Sequence, residues 1–248
     1  MPDPTSYSCV LWDVDGTLVD ASEGVLRRLR LTLEHVGRPV PAADRLRHWI
    51  GPPLYDSFRD LGGLDPEAAA AAVSYYRALG KADGFTSGVV LYPGVAEIVA
   101  DADAAGLAQA TASSKPEMQV AALMEHFGLA PHLTAIVGST PDEHTLAAKA
   151  DIVAEALRRL AEAGADVSRP VLVGDRVHDV VGGRAYGVPV VFVEWGFAEP
   201  GESVGAVAVA SDAAALRALL LDPHSTPGPS ERSKPGRRRI PPDTSRAA

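Results

Sequence analysis

The stretch Cys9-Val10-Leu11-Trp12-Asp13-Val14-Asp15-Gly16-Thr17-Leu18-Val19-Asp20 decides the reading of this chain. Its first four residues are a short apolar run of the kind that forms a strand covered on both faces. Strand side chains alternate between faces, so Asp13 and Asp15, two residues apart, point the same way. Gly16 and Thr17 then break the strand. The pattern predicts two acids at the carboxyl end of a buried strand, where open α/β sheets bind their ligands. One such carboxylate can attack as a nucleophile while its neighbour shuttles a proton, and both can help hold a hard cation. Asp-Gly is also a common turn dipeptide, and aspartate a common helix cap. Three further elements, met in order along the chain, separate this case from a simple turn.

The second element is Thr111-Ala112-Ser113-Ser114-Lys115-Pro116, at the end of an apolar segment. A hydroxyl and free backbone N–H groups at a strand-to-helix turn suit a phosphate oxygen. Serine ahead of Pro116 is equally an ordinary helix start, and the residues alone leave Ser113 and Thr111 both open for the phosphate. The third element is Lys149, in Thr145-Leu146-Ala147-Ala148-Lys149-Ala150-Asp151. A lysine near a helix start opposes the helix dipole, and here its charge would offset the crowding of Asp13, Asp15 and a phosphate. The fourth is Val171-Leu172-Val173-Gly174-Asp175-Arg176-Val177-His178-Asp179. A buried strand ends in Gly-Asp, and Asp179 falls in the first turn of the helix that follows. Asp13, Asp15, Asp175 and Asp179 converging on one small volume would repel unless a cation joined them. Oxygen-only ligands, with a phosphate supplying another, match Mg²⁺.

These four pieces together resemble the haloacid dehalogenase-like hydrolases. Asp13–Asp20 is similar to the family's first motif in its phosphatase form, Asp-x-Asp-Gly-Thr-Leu-x-Asp, and the resemblance runs over residues 7–221. It implies an aspartyl-phosphate mechanism with Asp13 as nucleophile and Asp15 as general acid and base. It puts the second motif on Ser113, with Ser114 following, and the third on Lys149, leaving Lys115 as a flanking residue. Gly-Asp-Arg-x-His-Asp resembles the fourth motif of phosphoglycolate phosphatase-like members, which makes Asp175 a direct Mg²⁺ ligand and Asp179 a ligand directly or through water. The resemblance adds Asp13 and the Asp15 carbonyl to that metal set, and Gly16 and Thr17, with the backbone amides after Asp15, to the phosphate contacts. His178 is expected beside the site or at the surface.

Strands and helices alternate, which favours a Rossmann-like, doubly wound parallel sheet. Strands are predicted at residues 8–13, 107–112, 135–137, 171–174 and 188–193, and core helices at 95–105, 116–127, 146–162, 177–185 and 213–220. Gly106, Gly128, Gly164 and Gly187 follow four of these helices, as C-terminal caps do. About seventy residues between the first strand and Pro93-Gly94 show no strand pattern, and a structureless loop of that length is improbable. They read as four helices, at 22–36, 42–49, 54–62 and 66–79. This organisation gives a core at 7–20 and 90–221 and an inserted helical unit at 21–89. In the resembled family that unit is a cap whose closure excludes water, hinged near residues 20–23 and 89–93. The segment Trp49-Ile50-Gly51-Pro52-Pro53-Leu54 resembles a substrate-facing cap turn, with Arg47 in reach of the substrate; it reads equally as a turn between helices.

The chain has 248 residues and a formal charge of −9. That balance argues against nucleic acid as a partner and slightly repels anionic substrates, so the small phosphorylated metabolite that the resemblance implies would need a cation or a local positive site. Residues 222–248 are rich in Pro, Ser and Arg, with five Arg and one Lys against two Asp and one Glu. Such a tail is too poor in apolar residues to order itself. The one cysteine, Cys9, fits a reducing cytoplasm and a protein without disulfides. No signal-peptide pattern opens the sequence, and no apolar run is long enough to span a membrane. A monomer or a homodimer fits equally.

Other readings are narrowed by particular residues. Dehalogenases need no proton donor and lack an acid at the position of Asp15. A phosphonate hydrolase needs a cap lysine for a Schiff base, and the cap holds only Lys81. A 5′-nucleotidase or a β-phosphoglucomutase-like mutase would use the same core. A phospho-accepting receiver domain would carry an aspartate after its third strand, where this chain has Val137-Gly138-Ser139, and it would lack the cap. An inactive binding relative would not need the complete motif set.

Overall fold

Alternation of side chains along β1 (Cys9–Trp12) organises the core. Val10 and Trp12 enter one hydrophobic cluster and Cys9 and Leu11 another, on the opposite face of the sheet. A computed structural model describes residues 7–50, 54–140, 146 and 148–222. In chain order the elements after β1 are β2 (Val19–Asp20), α1 (Ser22–His35), α2 (Ala43–Arg47), α3 (Leu54–Asp56), α4 (Pro66–Asp83), β3 (Val90–Leu91), α5 (Val95–Ala104), β4 (Ala108–Thr111), β5 (Ser113–Pro116), α6 (Glu117–His126), β6 (Gly138–Ser139), α7 (Lys149–Glu162), β7 (Pro170–Gly174), α8 (Val177–Ala185), β8 (Val190–Val193), β9 (Ala208–Ala210) and α9 (Ala213–Leu221).

The main sheet is parallel, in the order β4-β1-β7-β8-β9. On the far side of β4, β5 pairs in parallel with β6, and Ala135 bridges Ala110. Taking 135–139 as the third strand, the spatial order is 3-2-1-4-5-6, the doubly wound order, whose switch point lies beside the first strand. β1 and β7, whose carboxyl ends carry Asp13 and Asp175, are neighbours there, with Trp12 opposite Val173. Helices α5 and α9 cover the Trp12 face, and α7 and α8 cover the Leu11 face. Two buried polar side chains on this face pair with each other: Trp12 Nε1 donates to Gln109 Oε1 at 2.9 Å, and Gln109 Nε2 donates to the Val99 carbonyl at 2.9 Å.

Helices α1 to α4 make up most of the segment between β2 and β3. Its longest helix, α4, starts where Asp65 accepts the Ala68 N–H at 2.9 Å and Pro66 takes the first position. It packs on α1 through Val25 and Leu29 against Ala72, Val73 and Tyr76. Several boundaries differ from the sequence expectation. The segment 20–92 does contain strand: β2 and β3 form a short antiparallel pair, Val19 with Leu91 and Asp20 with Val90, tying the two cap linkers together. Two-residue strands have no periodicity to read. The helix expected at 54–62 is a short α-turn followed by a π-turn at Ser57–Leu61, and the helix expected to end at 79 runs on to Asp83. The third strand, expected at 135–137, bridges Ala110 through Ala135 and continues as the regular pair at Gly138–Ser139. The helix expected from 116 is preceded by β5, and the one expected from 146 starts at Lys149. β9, with only Ala and Val, was not anticipated. The Gly51-Pro52-Pro53 turn and the tail from 223 lie outside the described residues. Among the described residues no helix is long and apolar enough to cross a membrane.

Candidate active site

Asp13 ends β1, with its backbone N–H donated to Val173 at 2.9 Å. Lys149, the first residue of α7, brings its ammonium to 2.7 Å from Asp13 Oδ1 and 2.6 Å from Asp179 Oδ1. All three side chains are buried. Gly182 of α8 leaves room for the lysine stem, since a Cβ there would lie 2.7 Å from Lys149 Cγ. Asp179 also accepts the Arg176 N–H at 3.0 Å, closing the first turn of α8. The lysine's unfavourable place at a helix start is therefore set against two carboxylates. Burial opposes its charge, yet Asp13 and Asp179 hold its pKa above the ordinary value.

Asp175 ends β7 and is fully buried. Its Oδ1 accepts the Thr17 hydroxyl at 3.2 Å and its Oδ2 the Phe197 N–H at 2.7 Å. Gly16, at φ +89°, lies flat against it: a Cβ on Gly16 would fall 2.2 Å from Asp175 Oδ2. Only glycine fits both that dihedral and that gap. Thr17, read from the sequence as a phosphate contact, instead directs its hydroxyl at Asp175.

Asp13, Asp175 and Asp179 offer one carboxylate oxygen each within 4.8 Å of one another. Burial, with the charge of Asp179 added and Lys149 opposing, pushes Asp13 up to about 7. Burial, with the charges of Asp13 and Asp179, pushes Asp175 well above the carboxylate range. Buried, mutually repelling carboxylates with hard oxygen donors fit a small divalent cation, which would remove that penalty. Asp15, expected in the metal set, is not among these three carboxylates.

Asp15 is the half-buried member of the pair. Its Oδ2 lies 2.9 Å from Lys115 Nζ, and its Oδ1 is buried without a hydrogen-bond partner among the described residues. Lys115, expected only to flank the site, thus touches it. The Lys115 N–H donates to Ser113 Oγ at 3.2 Å, which ties these two residues of β5 to each other. Ser113 is buried and Ser114 exposed. Thr111, the competing register, has an Oγ1 that donates to the Val137 carbonyl at 2.9 Å and accepts the Val137 N–H at 2.7 Å. Thr111 knits two strands and is not free for a phosphate.

A loop after β8 completes the site. Besides the Phe197 N–H, it supplies Trp195 Nε1, which donates to the Thr17 carbonyl at 3.1 Å. Trp195 lies 6.3 Å, ring to ring, from Tyr92. Burial and the carboxylates of Asp20 and Asp175 raise the Tyr92 phenol, with Arg47 pulling the other way. Arg47 is exposed at the end of α2. His178 is exposed. No spacing rule marks this loop in the sequence; Trp195 and Gly196 following a strand were the only cue.

The arrangement sets a buried aspartate and its lysine near a second carboxylate, one of whose oxygens has no hydrogen-bond partner among the described residues, with a buried serine on the adjoining β5. Such groups serve transfer of an anionic acyl- or phosphoryl-type centre. The chain matches the model of the haloacid dehalogenase-like hydrolases over residues 10–193. It is 37% identical over 192 residues to the Mycobacterium tuberculosis tyrosine-protein kinase PtkA, covering 77% of this chain; the chain spans only 64% of that relative's length. The solved structure of PtkA superposes with a TM-score of 0.75 at 36% identity, covering 87% of this chain and 98% of that one. A 5′-nucleotidase of Pseudomonas aeruginosa is 32% identical over 217 residues, covering 86% of this chain and 96% of its own. A phosphoglycolate phosphatase of Caulobacter vibrioides is 33% identical over 205 residues, covering 79% and 84%. By its family model, its relatives and its fold, the chain belongs to the haloacid dehalogenase-like hydrolases.

Proposed function

We propose that this protein is a Mg²⁺-dependent phosphomonoesterase acting on a small phosphorylated metabolite through an aspartyl-phosphate. The observation that carries the reading is the pairing of Asp13 with Lys149 at 2.7 Å, beside an Asp15 whose Oδ1 has no hydrogen-bond partner among the described residues. An ionised Asp13 oxygen attacks phosphorus in line, the phosphorus–oxygen ester bond breaks, and the departing alkoxide takes a proton from Asp15. Asp15 then accepts a proton from water as that water attacks the phosphoryl group, which leaves as inorganic phosphate and frees Asp13. Lys149 favours the ionised form of Asp13 against the burial that opposes it and balances charge as the phosphoryl group arrives, while Ser113 and the amides after Asp15 hold its oxygens. Asp13, Asp175, the Asp15 carbonyl and Asp179, directly or through water, would hold Mg²⁺, which when bound neutralises charge on the transferring group.

The two catalytic acids, with Asp15 ready to protonate a leaving alkoxide, favour ester hydrolysis over dehalogenation. The relatives named for phosphoglycolate and nucleotides support a small-molecule phosphoester, and a phosphosugar mutase would share every residue named. The kinase name of PtkA supports a second reading, transfer of a phosphoryl group to tyrosine. The test is phosphate release from phosphoglycolate, nucleoside monophosphates, phosphosugars and p-nitrophenyl phosphate, with Mg²⁺ or EDTA, for wild type and Asp13→Asn. Release that needs Mg²⁺ and vanishes in the variant is expected. Undiminished release by folded Asp13→Asn would sink the scheme.

A further inference from the structure

Arg176 follows Asp175 in the fourth motif, and its side chain leaves the site entirely. It is buried, and its guanidinium joins three parts of the molecule. Nε and Nη2 donate to Glu202 at 2.7 and 3.2 Å, a bidentate pair. Nη1 donates to the carbonyl of Ile50, in the cap. The Arg176 main chain meanwhile holds Asp179. Glu202 lies in the long connection between β8 and β9 and also accepts the Val177 N–H at 3.2 Å. The same connection binds Asp175 through Phe197 and meets the cap a second time, where Glu199 pairs with His48 Nδ1.

Both cap contacts fall on residues 48–50, directly after Arg47. Trp49 and Ile50 are themselves packed in the core cluster, Trp49 edge-on to Phe58 at 5.7 Å. The segment is thus fixed from inside the cap by packing and from the core side by Arg176 and Glu199. A guanidinium is suited to that task, because its planar fork can serve a carboxylate and a carbonyl at once; an ammonium cannot match both.

We propose that Arg176 and Glu202 are positioning residues that seat cap residues 47–50 against the fourth motif. Substrate groups beyond the phosphate, which meet the cap, are then registered to Asp175 and Asp179. This rests on the phosphatase reading only for its kinetic arm. The pair contacts no reacting atom in this account; it sets where the cap stands when the carboxylates are in place.

Arg176→Lys and Glu202→Gln keep size and most of the packing, and both are expected to fold. For the best ester of the panel, each should raise KM far more than it lowers kcat, with kcat/KM falling on the order of a hundredfold, the effect of a displacement near 1 Å. For acetyl phosphate, too small to reach the cap, kcat/KM should stay within about threefold of wild type. Equal losses for both substrates would mean damage to the motif itself and overturn the proposal, as would wild-type kinetics for both. Amide hydrogen exchange of residues 43–50 decides independently of turnover. Faster exchange there in both variants, with β1 and β7 unchanged, is expected, and unchanged exchange overturns the proposal. A wild type that releases no phosphate from any ester would remove the phosphatase reading and leave the exchange result to judge the coupling.

Discussion

Lys149 and Asp13 lie 136 residues apart in sequence and 2.7 Å apart in space, and the same ammonium reaches Asp179 at 2.6 Å. One buried cation therefore balances two buried carboxylates. Lys149→Met would leave both unpaired, and breaking a buried ion pair in this way costs about 3–5 kcal/mol. The variant is expected to be inactive and to unfold at clearly lower urea than wild type, with Mg²⁺ restoring part of the stability. A Lys149→Met protein as stable as wild type in EDTA would show that the pair is not formed.

Gly16 follows Asp15, the proposed proton donor, and rests on Asp175. Gly16→Ala must place a methyl where Asp175 Oδ2 now lies and hold a left-handed dihedral, which alone costs about 1–2 kcal/mol. Activity should fall to background and Mg²⁺ should bind more weakly, seen as a smaller Mg²⁺-induced rise in Tm. Wild-type turnover in Gly16→Ala would contradict the contact.

Lys115 bears on Asp15, the proposed proton donor, through an ion pair at 2.9 Å between partly buried side chains. Lys115→Met should slow esters of poor leaving groups by about 10²-fold, in the range of a general-acid contribution. p-Nitrophenyl phosphate, whose leaving group needs little protonation, should be affected much less. Equal slowing of both would assign Lys115 to phosphate binding instead.

The pH dependence of stability follows from Asp13. Its pKa of about 7 in the fold lies above that of the unfolded chain, so between those values the native state holds a proton that the unfolded state has released. Stability of the cation-free protein therefore falls as pH rises through that window. Burial and the neighbouring carboxylates push Asp175 the same way. Mg²⁺ competes with these protons, so the stabilisation it gives, about 2.7 kcal/mol at a hundredfold excess over its dissociation constant, should appear at the high end of the window and fade at the low end. Melting curves with Mg²⁺ and with chelator, taken below and above the window, check this. A Mg²⁺ effect independent of pH would contradict it.

Much of this site was legible because its parts lie at strand ends, and strand ends are marked by apolar runs stopping at Asp, Ser or Gly. Asp13 and Asp175 needed only that signal, and the switch point between β1 and β7 brings them together. Lys149 was legible as a residue out of place at a helix start. Thr111 against Ser113 was not, because the choice turns on a cross-strand hydrogen bond to Val137. Lys115, Phe197 and Arg176 were missed for one reason: each acts through tertiary contact with a residue far off in sequence, and no periodicity records that. The β2–β3 pair escaped because two residues per strand carry no pattern.

The central claim is that Asp13 carries the phosphoryl group. The direct measurement is to quench wild type during turnover, reduce with borohydride and sequence the peptide spanning residues 9–20 by mass spectrometry. An aspartyl-phosphate is reduced to homoserine, so the account predicts homoserine at position 13, only with substrate and Mg²⁺, and none at position 15. Rapid turnover with unmodified Asp13, or homoserine at position 15, would contradict it.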